Sequence, residues 1–403
     1  MNSTIPKRFK PLFKDLEKTW FAGNAYFLGE RFTKGFTGAL VLPIGLAKRS
    51  VARNGGENGN RQGEEILHGE FVLKLDSQSE YEQTTEADHH EEARKWNSAF
   101  AKKHMPALKK PPRTVGRTVA LLYEIAGHAM KGIESAETKD AGNLESCVRA
   151  VSRSLLEEWN PPPHEGEPQM ARDFIQQWSG HRLQGANLRA TAGSITGRKQ
   201  VFCFFERPLI NPLRFCDTDA GKSVYPLHPI RGMLHCDLHL RNIMVPRKPG
   251  TEDFWLIDFA QARKGFLLYD HAYLEMSLLL NEPERFVERE RLYNLLVALE
   301  TDSQEVCPKD SCLLSCIRGL RTEVEKWTNK TDTLSLKGAV EAQFLLARVS
   351  AGLNWANKPL KETDKNAALI YAAWAASQFM KDHSPEAWRE LIKNWQCPRV
   401  DVW

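Results

Sequence analysis

The chain has no disulfide framework, no long apolar run and no excess of one charge. Its eight cysteines, at 147, 203, 216, 236, 307, 312, 316 and 397, include no CxxC pair. They read as reduced thiols of a cytosolic protein rather than as the staples of a small secreted fold. The opening "MNSTIPKRFKPLFKDLEKTW" interrupts every apolar stretch with a charge, unlike a secretory leader. The longest apolar stretches, 37–47 and 367–379, are too short or too rich in alanine to span a bilayer. Against 55 Lys and Arg stand 51 Asp and Glu, a net charge of +4, which is too even for a protein that grips nucleic acid. There is no internal repeat and no low-complexity tract. A soluble protein of 403 residues with 42% hydrophobic content remains, enough for two cores.

The first third reads as β-rich with one helix. "YFLGERFTKGFTGALVLPIG" (26–45) gives two short apolar runs around a Gly-containing turn, a hairpin signature. A Gly- and Asn-rich loop follows at 47–69. In "EFVLKLD" (70–76), Phe71, Leu73 and Leu75 alternate on one strand face. "HHEEARKWNSAFAKKH" (89–104) places Trp96 and Phe100 four apart on an amphipathic helix, and the diproline at 111–112 closes that region. "RTVALLYEIAG" (117–127) reads as a buried strand. Beyond about 131 helical patterns dominate, notably 144–159, 171–180 and most of 284–395.

The chemistry concentrates in "MLHCDLHLRNIMV" (233–245), where ionisable residues sit inside an apolar frame. His235, Cys236 and His239 are soft donors, with Cys312 and Cys316 as a conceivable second pair for zinc, although no fixed zinc spacing is present. The carboxylates offer another reading. Asp237 and Asn242 are five apart, and Asp258 ends the apolar strand of "WLIDF". Phosphoryl transfer from ATP needs one Asp to take the acceptor proton, while an Asn and a second Asp hold Mg²⁺ against phosphate oxygens. Protein kinases carry the same D-x4-N spacing followed by Asp-Phe-Gly. Such a site also needs a strand lysine, supplied by Lys74, and a helix carboxylate to pair with it. Glu92 is expected in that role ahead of Glu91, because it shares a face with Trp96 and Phe100. "KGFTGA" places Gly35 and Gly38 in a turn whose amides can bind phosphate, weaker than a full GxGxxG.

With His235-Cys236-Asp237-Leu238-His239-Leu240-Arg241-Asn242 standing where H-G-D-L-H-x-x-N is typical, residues 25–280 resemble the protein-kinase-like phosphotransferases of the aminoglycoside phosphotransferase and choline kinase type. A narrower resemblance, carried by "GFTGALV", "HCDLHLRNIMV" and "LIDFAQARKGFLLYDHAYLE", is to bacterial kinase-like ternary complex associated domains. The resemblance implies an α+β, bilobal fold: a β-rich N-lobe over 1–127 and a mainly helical C-lobe over 128–403. It also implies MgATP in the cleft, with Tyr123 to Ile125 along the adenine edge and Glu124, Ala126 and Gly127 at the hinge. Cys236 and Ala260 replace glycines of the usual pattern, and 181–232 matches no motif and is available to the acceptor.

The function expected is ATP- and Mg²⁺-dependent transfer of a γ-phosphoryl group to a hydroxyl of an unidentified acceptor. Asp237 handles the acceptor proton, Asn242 and Asp258 bind the metal, and Lys74 with Glu92 steadies the phosphates. The alternative is a pseudokinase that senses nucleotide or binds protein partners in a bacterial multi-component system, and transfer of AMP is a third possibility. His235 and His239 are expected to frame the loop, and Asp270 to cap a helix and brace the loop.

Overall fold

The structure, a computed structural model, describes residues 5–22, 24–29, 39–48, 69–128, 132–160, 164–165, 167–197, 199–215, 227–248, 252–281, 288–301, 303, 306–330, 334–393 and 395. It divides into two units by internal packing. The first comprises Met1–Glu134 with Met244–Gln261, the second Ser135–Ile243 with Ala262–Trp403. The expected boundary at 127 therefore moves later, and the segment carrying Asp258 belongs to the first unit.

The first unit is built on alternation. Helix α1 (Lys10–Lys18) precedes strands β1 (Asn24–Leu28), β2 (Leu40–Lys48) and β3 (Gly69–Ser77). Three short helices follow: α2 (Gln78–Thr84), α3 (Glu86–Trp96) and α4 (Ser98–His104). Strands β4 (Leu108–Val115) and β5 (Thr118–Glu124) complete an antiparallel five-stranded sheet of order β1-β2-β3-β5-β4. Phe71, Leu73 and Leu75 all turn to one face, as the two-residue period requires. There they pack with Leu42, Ile44 and Leu122 against Leu12, Phe13 and Leu16 of α1. The expected hairpin forms as β1 and β2, Asn24 opposite Lys48, while Gly35 and Gly38 lie outside the described residues. The diproline does not terminate a helix. It lies within β4, an edge strand whose register shifts between Leu108 and Lys110 and between Lys110 and Arg113, where two residues lacking N–H donors are tolerated.

The single helix expected over 89–104 is two. Asn97 leaves the helical region (φ −144°), and its carboxamide accepts from the amides of Ala99 and Phe100, capping α4. These helices also hold the Met244–Gln261 segment. The His104 ring stacks on Phe254 at 4.0 Å, and its Nδ1 lies 2.9 Å from the Phe254 carbonyl oxygen. His89 Nδ1 lies 2.8 Å from the Ala260 carbonyl oxygen.

The second unit is mainly helical: α5 (Ala141–Ser154), α6 (Ala171–Ser179), α7 (Ala186–Ile195), α8 (Tyr269–Leu279), α9 (Arg289–Thr301), α10 (Ser311–Asn329), α11 (Leu334–Ala356), α12 (Glu362–His383) and α13 (Pro385–Ile392). Strand β6 (Ile230–Leu234), which leads into the 235–242 loop, pairs antiparallel with β7 (Arg263–Phe266). Two buried carboxamides serve β6 as substitute strand partners. Asn160 accepts from the Met233 amide at 2.7 Å and donates to its carbonyl at 3.0 Å; Gln343 does the same for Ile230 at 2.9 and 3.0 Å. Among the described residues no helix is long and apolar enough to cross a membrane. Cys147, Cys236, Cys307, Cys312 and Cys316 are free thiols, whereas Cys203 is disulfide-bonded, a departure from the expectation of thiols alone.

Helices α11 and α12 pack closely through small residues. Ala367, Ala368, Ala372 and Ala376 of α12 are buried, and so are Leu369, Ala373 and Met380. A Cβ on Gly352 of α11 would stand 2.6 Å from the Ala368 carbonyl oxygen, whereas one on Gly338 would meet nothing within 4 Å. Gly352→Val is expected to destabilise the protein by about 1–3 kcal/mol through overpacking. Gly338→Ala, earlier on the same helix, is expected to stabilise by about 0.5–1 kcal/mol. Denaturant midpoints of the two variants check both signs.

Candidate functional site

In the first unit the chemistry gathers around one lysine. Lys74 stands on β3 one residue out of phase with Leu73 and Leu75, on the opposite face, and is 8% exposed. A buried ammonium requires compensating charge. Its Nζ donates to Glu86 Oε2 at 2.6 Å and to Asp258 Oδ1 at 3.3 Å. Burial pulls its pKa down, but Asp258 and Glu86 together more than reverse this, so the ammonium stays charged. Tyr123 of β5 donates its hydroxyl to Glu86 Oε1 at 2.9 Å, and burial beside that carboxylate pushes the phenol well above its ordinary value. The His90 ring sits edge-on to both Tyr123 and Phe259, fixing the residue next to Asp258. Asp258 itself adopts φ +65°, a left-handed backbone that aspartate tolerates better than most residues, and 38% of its side chain is exposed.

The lysine's helix partner is therefore Glu86, not Glu92. Glu86, His90 and Ala93 form the buried face of α3, spaced by four and three residues, whereas Glu91 and Glu92 are exposed. Trp96, expected to point inward, is 36% exposed. The helix also begins earlier than 89, immediately after Thr85 at φ 43°. The expected hinge residues lie at the end of β5. Glu124 receives Lys109 Nζ at 2.9 Å and the Ala107 amide at 3.3 Å, so its carboxylate is bound to the β4 side. Ala126 is buried, and Gly127 follows at φ +67°, where a Cβ would stand 2.9 Å from the Trp255 ring. That contact and the positive φ both favour glycine.

In the second unit the 235–242 loop is suspended from α8. Asp270, fully within the core, accepts from the amides of His235 at 2.7 Å and Cys236 at 2.8 Å. It braces the loop as expected, but as the second residue of α8 rather than its cap. The brace holds Cys236 at φ +62°, a left-handed position that favours glycine. The Cys236 thiol is buried, and burial pushes its pKa up to about 12. A thiol that keeps its proton is a poor metal ligand. Asn242 donates Nδ2 to the Asp237 carbonyl at 3.0 Å, and its amide to the His239 carbonyl at 2.8 Å, closing the loop.

Asp237 is the loop's carboxylate and is half-buried, 30% of its side chain accessible. Oδ1 receives the Tyr273 hydroxyl at 2.7 Å and Lys358 Nζ at 3.2 Å. Oδ2 faces His239 Nε2 at 3.6 Å. Burial raises the carboxyl pKa, but the Lys358 charge, His239 and the Tyr273 hydroxyl outweigh it and hold the group ionised, far below the usual range. Tyr273 and Lys358 were missed from the sequence. The first sits within a helix that is buried on every side, where no face is marked out by the sequence pattern, and the second lies more than a hundred residues downstream with no motif around it.

Hard oxygen donors fit Mg²⁺. Asp258 offers a partly exposed carboxylate, and Asn242, with Nδ2 committed to the loop, offers its carbonyl oxygen. Among the described residues no group of three or more His, Cys, Asp or Glu side chains is placed to hold a metal. One or two protein oxygens supplemented by phosphate is the ordinary pattern for nucleotide-borne Mg²⁺.

Residues 191–330, which include the loop and Asp258, match the family described as Ternary complex associated domain 9, as the narrower sequence resemblance expects. No curated protein matches the chain. Among solved structures, a thermostable mutant of an aminoglycoside phosphotransferase in ternary complex with ADP and hygromycin B is similar at 12% identity and TM-score 0.45, covering 93% of this chain and 99% of that one. An ethanolamine kinase from Plasmodium vivax is similar at 11% identity and TM-score 0.40, covering 91% and 84%. A choline kinase from Cryptosporidium parvum is similar at 10% identity and TM-score 0.39, covering 97% and 94%.

The helix that braces the loop also carries a pH-sensitive residue. His271 is buried with Nε2 3.1 Å from the Ser152 carbonyl, and burial lowers its pKa from 6.5 to about 4. Below pH 6.5 the unfolded chain takes up a proton that the folded residue refuses until about pH 4. This residue's contribution therefore makes stability fall as pH drops through that window. The denaturant midpoint of His271→Gln is expected to fall less steeply than that of the wild type between those two pH values.

Proposed function

We propose that the protein is an ATP- and Mg²⁺-dependent phosphotransferase that moves the γ-phosphoryl group onto a hydroxyl of an acceptor molecule. The observation that carries this reading is the pairing of Lys74 with Glu86 and Asp258, together with a loop that presents Asp237 ionised and Asn242 with a spare carbonyl oxygen. A lysine held charged by two carboxylates costs stability that packing alone would not require. Lys74 is the residue to contact nucleotide phosphates, with Glu86 fixing its position and Tyr123 fixing Glu86. Asp258 and Asn242 would hold Mg²⁺, which would supply neutralisation of the phosphate charge. Asp237, anchored through Oδ1, has Oδ2 to receive the acceptor hydroxyl's proton. Ala126 and the backbone around Glu124 would lie along the adenine, and Gly35 and Gly38, outside the described residues, remain phosphate-binding candidates. The acceptor remains a hydroxyl compound of unassigned identity. Protein partners in a bacterial multi-component assembly belong to the same reading, supported by a matched family whose description names a ternary complex, as does a cytoplasmic location where MgATP is plentiful.

One observation favours the pseudokinase alternative: Asp237 already holds two donors on Oδ1. Turnover of γ-labelled ATP, with water or a supplied alcohol as acceptor, separates the two readings. The wild type is expected to release or transfer label, with Asp237→Ala lowering the rate by about 10²–10⁴-fold. Lys74→Met is expected to lower it by about 10²-fold or more. A wild type that binds MgATP yet shows no turnover above Asp237→Ala would establish the sensing module instead.

A further inference from the structure

The surroundings of Asp237 restrict what the acceptor can be. Lys358 follows α11 in a turn, with its amide bonded to the Trp355 carbonyl at 3.0 Å. Its Nζ lies 4.3 Å from the centre of the Trp355 ring and 5.1 Å from that of Tyr273, both within cation–π range, and 3.2 Å from Asp237 Oδ1. Two aromatic faces and a carboxylate converging on one point form a seat for an ammonium group. Tyr273 belongs to α8, Trp355 to α11 and Asp237 to the loop, so three separate segments build it. The seat is occupied by the chain's own lysine, whose side chain is 17% exposed. His239 closes another side, its ring 6.3 Å from Trp355. Buried within the cluster, Trp355 Nε1 and His239 Nδ1 make no hydrogen bond, so the walls retain polar capacity. The positive charge is not isolated. Burial weakens it and Asp237 supports it, while Arg182 and Arg241 lie near enough to push the Lys358 pKa down further.

We propose that Lys358 is a specificity-determining residue: a built-in cation that fills the ammonium seat beside Asp237, so that the acceptor is an uncharged or anionic hydroxyl compound and not an amino alcohol. This rests on the phosphotransfer reading of Asp237. In the transfer step the acceptor O–H proton passes to Asp237 Oδ2 and the acceptor oxygen bonds to the γ-phosphorus. The bond from that phosphorus to the bridging oxygen breaks, with its electron pair leaving on ADP. Lys358 keeps its own proton throughout, and repels an acceptor ammonium that would have to lie against it. A hydroxyl bonded to Asp237 Oδ2 lies within roughly 8 Å of Nζ, by adding the separation of the two carboxylate oxygens and one hydrogen-bond length to the observed ion pair, so the next few atoms of an acceptor that extends toward Trp355 and Tyr273 feel this charge.

Removing the lysine should expose the seat. Lys358→Ala deletes the equivalent of n-propylammonium, and calorimetric titration with n-propylammonium chloride is expected to show binding to this variant at least tenfold tighter than to the wild type. Adding Asp237→Asn should abolish that gain. Equal binding to wild type and variant, or no binding to a folded Lys358→Ala protein, would overturn the proposal. Lys358→Met retains the stem, loses the charge and serves as the second variant if the alanine protein does not fold. Its amine binding should then exceed that of the wild type, and failure to do so also overturns the proposal. Transfer from γ-labelled ATP to 1,3-propanediol and to 3-aminopropan-1-ol gives the corresponding activity readout on unmodified protein. The diol is expected to be favoured at least tenfold, and equal or better use of the amine would overturn the assignment. The titration uses no nucleotide, so the seat and the phosphotransfer reading fail separately.

Discussion

A charge taken out of water must be met by another, and this constraint organises both units. On β3 the alternation that buries Leu73 and Leu75 on one face puts Lys74 on the other, beneath α3 and the Met244–Gln261 segment. A lysine buried there unpaired would lose its proton or unfold the strand. Glu86 and Asp258 are placed so that it does neither. The requirement reaches outward: Tyr123 holds Glu86, His90 packs on Phe259, and His89 and His104 fasten the carbonyls on either side of Asp258. The segment's membership in the first unit, despite its distance in sequence, is the structural consequence.

The second unit meets the same constraint with backbone groups. A loop forced through a left-handed cysteine leaves two inward amides, and Asp270 satisfies both. Asp237 is then free to face outward, ionised by Lys358 and aligned by Tyr273. Strand β6, which delivers the loop, has a short ladder with β7, and Asn160 and Gln343 complete its hydrogen bonding from helical segments. The loop is thus set by side chains drawn from several helices rather than by its own sequence.

That distinction explains how much was legible beforehand. Strand alternation locates β3 and puts Lys74 on the face opposite Leu73 and Leu75, and an apolar frame broken by Asp237, Asn242 and Asp258 locates the loop and the later segment, because these are local patterns. Glu86 escapes the sequence pattern because the amphipathic period is read from 89, whereas the helix begins directly after the left-handed Thr85. The pattern favours Glu92 only if Trp96 faces inward, whereas Asn97 ends that helix and leaves Trp96 partly exposed. The diproline reads as a terminator because proline lacks an N–H donor, a loss that only the edge position of β4 makes tolerable. Lys358, Tyr273, Asn160 and Gln343 act through contacts between distant segments, and nothing in one sequence reports such contacts.

Lys74 and Asp258 matter to function only if phosphate and its metal are what they receive. Equilibrium binding of ATP with and without Mg²⁺, in the wild type and in Asp258→Asn, tests this most directly. The phosphotransfer reading predicts that Mg²⁺ tightens ATP binding to the wild type about tenfold or more, and that Asp258→Asn loses most of that gain, as expected for a carboxylate coordinating a phosphate-bound cation. ATP that fails to bind, or binds equally with and without Mg²⁺ in both proteins, would contradict it.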